Sequence, residues 1–118
     1  MKPVQILYHG TCKKYSNNIE QSGLIPVNYN KVYLTADVQV AYEYATTCAE
    51  NNSSIPIVCI VDAKQMAKDG LAFEHDHEYA EWTVDSVPTN YLLQIIIESE
   101  NDLDELAHYA QEIVNSFS

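Results

Sequence analysis

The chain has 118 residues, 47% of them hydrophobic, enough for one domain with a core that folds without staples, which argues against disorder. No apolar run nears the ~20 residues of a membrane span, and no basic-then-apolar leader opens the chain. Three widely spaced cysteines, Cys12, Cys48 and Cys59, suit reduced thiols in a cytoplasmic protein, and the net charge of −11, with 17 acidic residues against six lysines and no arginine, disfavours nucleic-acid backbones as partners.

The elements follow from patterning. Val4–Tyr8 is an apolar run that predicts a strand, with His9, Gly10 and Thr11 displayed at its end. Gly10 marks a turn or a close approach. Ser16 is the expected cap of a short helix anchored by Ile19 and ended by Gly23. Asn28–Lys31 reads as a loop. Val32–Thr35 alternates as a strand, Val32 and Leu34 on one face and Tyr33 on the other. Asp37 is the expected cap of a helix whose apolar positions Ala41, Tyr44, Ala45 and Cys48 keep the 3.6-residue period, and Asn51–Ser54 follows as a loop.

Ile57–Val61 is continuously apolar and so predicts a buried central strand. Asp62–Ala67 predicts one or two helical turns before an Asp69-Gly70 turn, and Leu71–Ala80 is polar and acidic around Phe73. Trp82–Val84 and Tyr91–Ile97 predict two more strands around the Pro88 loop. The tail, residues 102–117, is an amphipathic helix with Leu103, Leu106, Ala107, Ala110, Ile113, Val114 and Phe117 on its apolar face, Asn101 as its cap and acidic residues at its positive end. The sum is a single α+β domain over residues 1–118, with five or six short strands, mostly antiparallel, and helices at the edges.

Three blocks resemble the ADP-ribosyltransferase superfamily, of the poly-ADP-ribose polymerase kind with a His-Tyr-Glu triad. They are Tyr8-His9-Gly10-Thr11 with Ile19 and Gly23-Leu24; Val32–Thr35 with Ala41 and Tyr44-Ala45; and Glu81–Val84 with Val87 and Tyr91–Leu93. The resemblance covers roughly residues 4–97 and implies small split antiparallel sheets with flanking helices. The stretch Val61-Asp62-Ala63, Met66, Asp69-Gly70 and Phe73 is also similar to the RNA 2′-phosphotransferases. Those enzymes grip a phosphate with arginines and a second histidine, whereas this chain has no arginine and carries Tyr33 where that histidine would be.

The resemblance implies NAD as substrate, with His9, Tyr33 and Glu81 as catalytic residues and His9, Gly10, Thr11, Tyr33 and Tyr44 holding the dinucleotide. His9 would donate to the adenosine-side ribose, Gly10 would pair its main chain with the nicotinamide amide, with help from the Thr11 hydroxyl, and the two tyrosines would stack on the ring. Glu81 would stabilise the positive charge that develops on the ribose as nicotinamide leaves. Phe73, Glu78 and Tyr79 would form the loop that selects the acceptor. His75-Asp76-His77-Glu78 lacks a third well-spaced ligand, so no metal is expected. The leading expectation is an NAD-dependent mono-ADP-ribosyltransferase, a glycosyltransferase-class enzyme acting on a protein or nucleic-acid acceptor. The alternatives are RNA 2′-phosphate transfer, an inactive module that binds NAD or ADP-ribose, and an acidic interaction protein in which the −11 charge is the working feature.

Overall fold

The computed structural model describes residues 5–26, 31–71, 73–76, 81–99 and 101–116, and of Asp76 and Glu81 the backbone alone. Alternation along the first strand decides the layering. In β1, Leu7–Cys12, Leu7 faces a core shared with Ile19, Leu24, Val32, Leu34, Cys59, Val61 and Met66. The next residue, Tyr8, faces a second core with Ala41, Ala45, Val58, Ile60, Ile97, Leu106 and Ala110. One sheet is thus covered on both faces, by α1 (Ser16–Ser22) and α3 (Ala63–Lys68) on one side and by α2 (Val38–Asn52) and α4 (Asp102–Ser116) on the other.

The strands β2 (Val32–Thr35), β3 (Pro56–Val61), β4 (Glu74–Asp76), β5 (Glu81–Val84) and β6 (Leu92–Ile96) complete an antiparallel sheet in the order β4-β5-β2-β1-β3-β6. The fold is therefore α+β. In place of two separate sheets, the structure has one six-stranded sheet whose halves meet at a single register pair, Tyr8 opposite Thr35. With helices on both faces, β3 lies between β1 and β6 and is buried from Ile57 to Val61, as its unbroken apolar run requires.

Several boundaries differ from the sequence pattern. β1 starts later and runs further than expected, so His9, Gly10 and Thr11 lie inside the strand. The reason is β3, which supplies partners for every residue from Leu7 to Cys12. Ser16 is the first helical residue rather than the cap, while Gly23 takes φ 76° after α1. Asp37 caps α2 as expected, its carboxylate accepting from the Gln39 N–H at 2.9 Å. That helix continues through Asn52 into Ser53 at φ 51°. The acidic stretch after Gly70 contains β4, a strand missed because Glu74, His75 and Asp76 have little strand propensity and are held by pairing to β5. Val4, Asn28–Asn30 and Phe117 lie outside the described residues.

Asp62 caps α3 through the Gln65 N–H, and the Asp102 carboxylate holds the turn before α4 by accepting from the N–H groups of Glu98 and Ser99. Leu106 and Ala110 are the buried face of α4, with Leu103 and Ile113 packed at its margins. Among the described residues, no helix is long and apolar enough to cross a membrane.

Candidate functional site

The site originates in a gap in the hydrogen-bond ladder. The Lys13 N–H donates to the Ile55 carbonyl at 2.8 Å, continuing the β1–β3 pairing. In an antiparallel ladder, successive residues turn their main-chain groups to opposite sides. Leu7, His9 and Thr11 therefore spend theirs on β3, and Tyr8, Gly10 and Cys12 direct theirs toward β2. Continuing the Tyr8–Thr35 register would bring Gly10 opposite Tyr33, but that pair does not form. Instead the His9 ring reaches the Tyr33 carbonyl, Nδ1 to oxygen 2.9 Å. The Gly10 N–H and C=O are left facing a cavity of about 390 Å³ between β1 and β2, lined also by Tyr8, Tyr33, Thr35 and Tyr44.

Gly10 is required here by space rather than by backbone angle. A Cβ at Gly10 would stand 1.9 Å from the Ala41 carbonyl oxygen and 2.8 Å from the Ala45 nitrogen. The close approach signalled by this glycine is therefore that of α2, whose buried alanines Ala41, Ala45 and Ala49 let the helix lie on the strand. Tyr44 was expected on this packed stripe. It is 55% exposed and hangs over the cavity, whereas Tyr42 packs against the core. Tyr33, 43% exposed, stands on the same cavity wall, while Val32 and Leu34 are buried as expected.

His9 borders a second cavity, of about 640 Å³, on the α1 side of the sheet. Its walls come from Thr11, from Tyr15 and Asn18 at the start of α1, and from Gly23 through Pro26. Thr11 thus belongs to this second lobe and not beside Gly10. Gly23 turns the chain against Val87, where a Cβ would meet the Val87 carbonyl at 2.0 Å. Sequence reasoning missed Thr35, Tyr15, Asn18 and Ile25. The available signal was the position of Tyr15 and Asn18 between the strand-borne histidine and the capping Gly23.

Desolvation pushes the His9 imidazole below the ordinary histidine range, opposed by the hydrogen bond to Tyr33. Because a carbonyl can only accept, Nδ1 carries the proton, and neutral His9 presents a bare Nε2. The backbone of Glu81 lies opposite Thr35, which in turn lies opposite Tyr8, so Glu81 starts its strand one step from the cavity wall. Phe73 packs against the core, and Glu78, Tyr79 and His77 lie outside the described residues. His75 stacks on Trp82, ring centroids 4.2 Å apart. Two of the cations nearest the site in sequence are engaged, Lys31 Nζ by Asp85 at 2.7 Å and Lys14 Nζ by Asn52 at 3.0 Å.

Residues 1–78 match the RNA 2′-phosphotransferase, Tpt1/KptA family. Similar proteins include probable RNA 2′-phosphotransferases of Acetivibrio thermocellus, 29% identical over 90 residues (76% of this chain, 47% of the relative), and of Escherichia coli O139:H28, 34% identical over 90 residues (76% and 46%). Another, from Acaryochloris marina, is 30% identical over 95 residues, 80% of this chain and 49% of the relative. The chain spans about half the length of the curated relatives it matches. These matches overturn the leading expectation of a mono-ADP-ribosyltransferase, with its poly-ADP-ribose polymerase-like and glycosyltransferase labels, and favour its alternative. The expectation failed because it weighed the missing arginines, which govern phosphate grip, above the Val61–Phe73 stretch, which lies within the residues that match the family.

Proposed function

The chain belongs to the RNA 2′-phosphotransferase, Tpt1/KptA family, and on that premise we propose that its cleft binds NAD and uses it in the removal of a 2′-phosphate from RNA. One observation carries the reading. The β1–β2 ladder opens at Gly10, and His9 stands at the junction of two cavities, as a dinucleotide with two unlike ends requires. The nicotinamide end fits the smaller lobe, its amide paired with the Gly10 main chain and its ring between Tyr33 and Tyr44. The adenosine end fits the larger lobe, on the side of Thr11 and α1. Neutral His9 accepts a ribose hydroxyl at Nε2, rather than donating to it. The split between the two sheet halves supports an ADP-ribosyltransferase-like reading of the fold.

In the reaction a 2′-phosphate oxygen of the RNA forms a bond to the ribose carbon that carries nicotinamide. The carbon–nitrogen bond breaks, and its electron pair leaves on the nicotinamide ring. Glu81 stabilises the positive charge that develops on the ribose as the carbon–nitrogen bond breaks. The phosphate then bridges RNA and ADP-ribose; a neighbouring ribose hydroxyl bonds to phosphorus, the bond from phosphorus to the RNA 2′-oxygen breaks, that oxygen takes the hydroxyl's proton, and the phosphate leaves on ADP-ribose. The −11 charge and the lysines already paired make this chain a poor holder of RNA, so the nicotinamide side of the chemistry is the part its own residues support. The same observation favours a second reading, an NAD-binding module without turnover.

Incubation with NAD and an RNA oligonucleotide bearing one internal 2′-phosphate tests both. The expected result is nicotinamide release coupled to loss of the 2′-phosphate, reduced about 100-fold or more by Glu81→Gln and abolished by His9→Ala. A rise in melting temperature with NAD but no release would support the binding module. Neither a shift nor release would sink the NAD assignment.

A further inference from the structure

The two edges of the sheet are built differently. The β4 edge is three residues long and carries Glu74 and Asp76, devices that discourage strand pairing. The β6 edge runs Leu92-Leu93-Gln94-Ile95-Ile96, with no charge and no proline. Leu93 and Ile96, on opposite faces of the strand, are 43% and 46% exposed. Among the described residues, no strand pairs with β6 on its outer side.

The register tells which main-chain groups face outward. The Asp62 N–H donates to the Tyr91 carbonyl and the Ile97 N–H to the Pro56 carbonyl, both at 2.9 Å. By alternation Tyr91, Leu93, Ile95 and Ile97 spend their groups on β3, while Leu92, Gln94 and Ile96 turn theirs outward. The Leu92 N–H is already taken by the Thr89 carbonyl. What remains is the Leu92 C=O and both groups of Gln94 and Ile96.

This pattern is complementary to itself. We propose that β6 pairs antiparallel with the β6 of a second copy of this chain, about a two-fold axis at Gln94, joining two six-stranded sheets into one of twelve. Gln94 exchanges both bonds with the partner's Gln94, and each Ile96 N–H donates to the partner's Leu92 carbonyl. The Leu92 N–H stays with Thr89, so each Leu92–Ile96 pair makes one bond rather than two, and the seam holds four main-chain bonds in all. On one face Leu93 meets the partner's Ile95, and on the other Ile96 meets the partner's Leu92, so the two exposed aliphatic side chains are covered.

Five residues a side is short of the 20–30 of a standard interface, and each copy carries −11, so the association is weak and strengthens with salt. Sedimentation equilibrium of the full chain in moderate salt is the test. A monomer–dimer equilibrium with Kd on the order of 100 μM is expected, tightening as salt screens the like charges. Ile96→Lys places two ammonium groups at the seam and raises Kd about tenfold or more, with circular dichroism unchanged. Hydrogen exchange gives a reading that needs no variant. The Gln94 and Ile96 amides gain protection as concentration rises, while those of Leu93 and Ile95 are protected throughout. A chain that stays monomeric to millimolar concentration overturns the proposal, as does a dimer indifferent to Ile96→Lys. Edge amides already protected at the lowest concentration also overturn it, since another segment would then occupy the edge.

Discussion

Gly10 and His9 are adjacent in the chain and act through opposite requirements. Gly10 has to be small because the main chain of α2 occupies the space of a side chain, with the Ala41 carbonyl 1.9 Å from an added Cβ. Neither the strand nor the helix backbone can yield locally, so Gly10→Ala lifts α2 and widens the cleft. Urea unfolding is expected to show a loss of about 2–3 kcal/mol, and NAD should no longer raise the melting temperature. His9 has to stay uncharged. Burial favours its neutral form in the folded state, so between the ordinary histidine value of about 6.5 and the lower folded value the unfolded chain binds a proton that the native chain does not. This contribution to stability is full above pH 6.5 and declines as pH falls toward the folded value. Melting temperatures across pH 5–8 should therefore fall on the acid side, and His9→Gln should flatten that part of the curve. NAD affinity should hold over that interval and weaken only as pH falls through the lower folded value, where a protonated Nε2 no longer accepts from a ribose hydroxyl.

At the scale of elements, the cleft depends on how α2 is launched from β2. Thr35 is the last residue of β2 and is buried; its hydroxyl accepts from the Asp37 N–H at 3.1 Å. The Asp37 carboxylate then accepts from Gln39 and starts the helix. Two side chains in three residues thus turn the strand that carries Tyr33 into the helix that carries Tyr44. Asp37→Ala should cost about 1 kcal/mol, seen as a lower urea midpoint at constant slope, with Asp37→Asn restoring most of it. Because the cap also sets the helix entry, the alanine variant should bind NAD more weakly than its stability loss alone accounts for. The remaining helices act as covers: α1 and α3 close one face of the sheet, and α2 and α4 the other.

At the scale of the whole molecule, local chemistry was legible and pairing was not. The Asp37 cap, the Gly23 stop, the Gly70 turn and the buried Ile57–Val61 strand were all readable because each depends on residues within a few positions of one another, whereas Asp62, expected within the helical turns, caps them. The three blocks around His9, Tyr33 and Glu81 likewise stood out in the chain as separate pieces. Their assembly required the tertiary structure. Only the register of β1 against β3 turns the Gly10 main chain away from its neighbour, and only the loss of the Gly10–Tyr33 pair opens the cavity. The exposure of Tyr44 and the partial burial of Tyr42 were decided in the same way, by the alanine ridge that seats α2 on β1. β4 escaped detection because its residues are strand-like only while β5 holds them. The sequence by itself determined most of the elements and their caps, since propensity, capping and patterning are short-range. The cleft, its two lobes and the β6 edge that no described strand covers were decided by tertiary structure, because strand order and hydrogen-bond parity join residues distant in the chain and leave no trace in local composition.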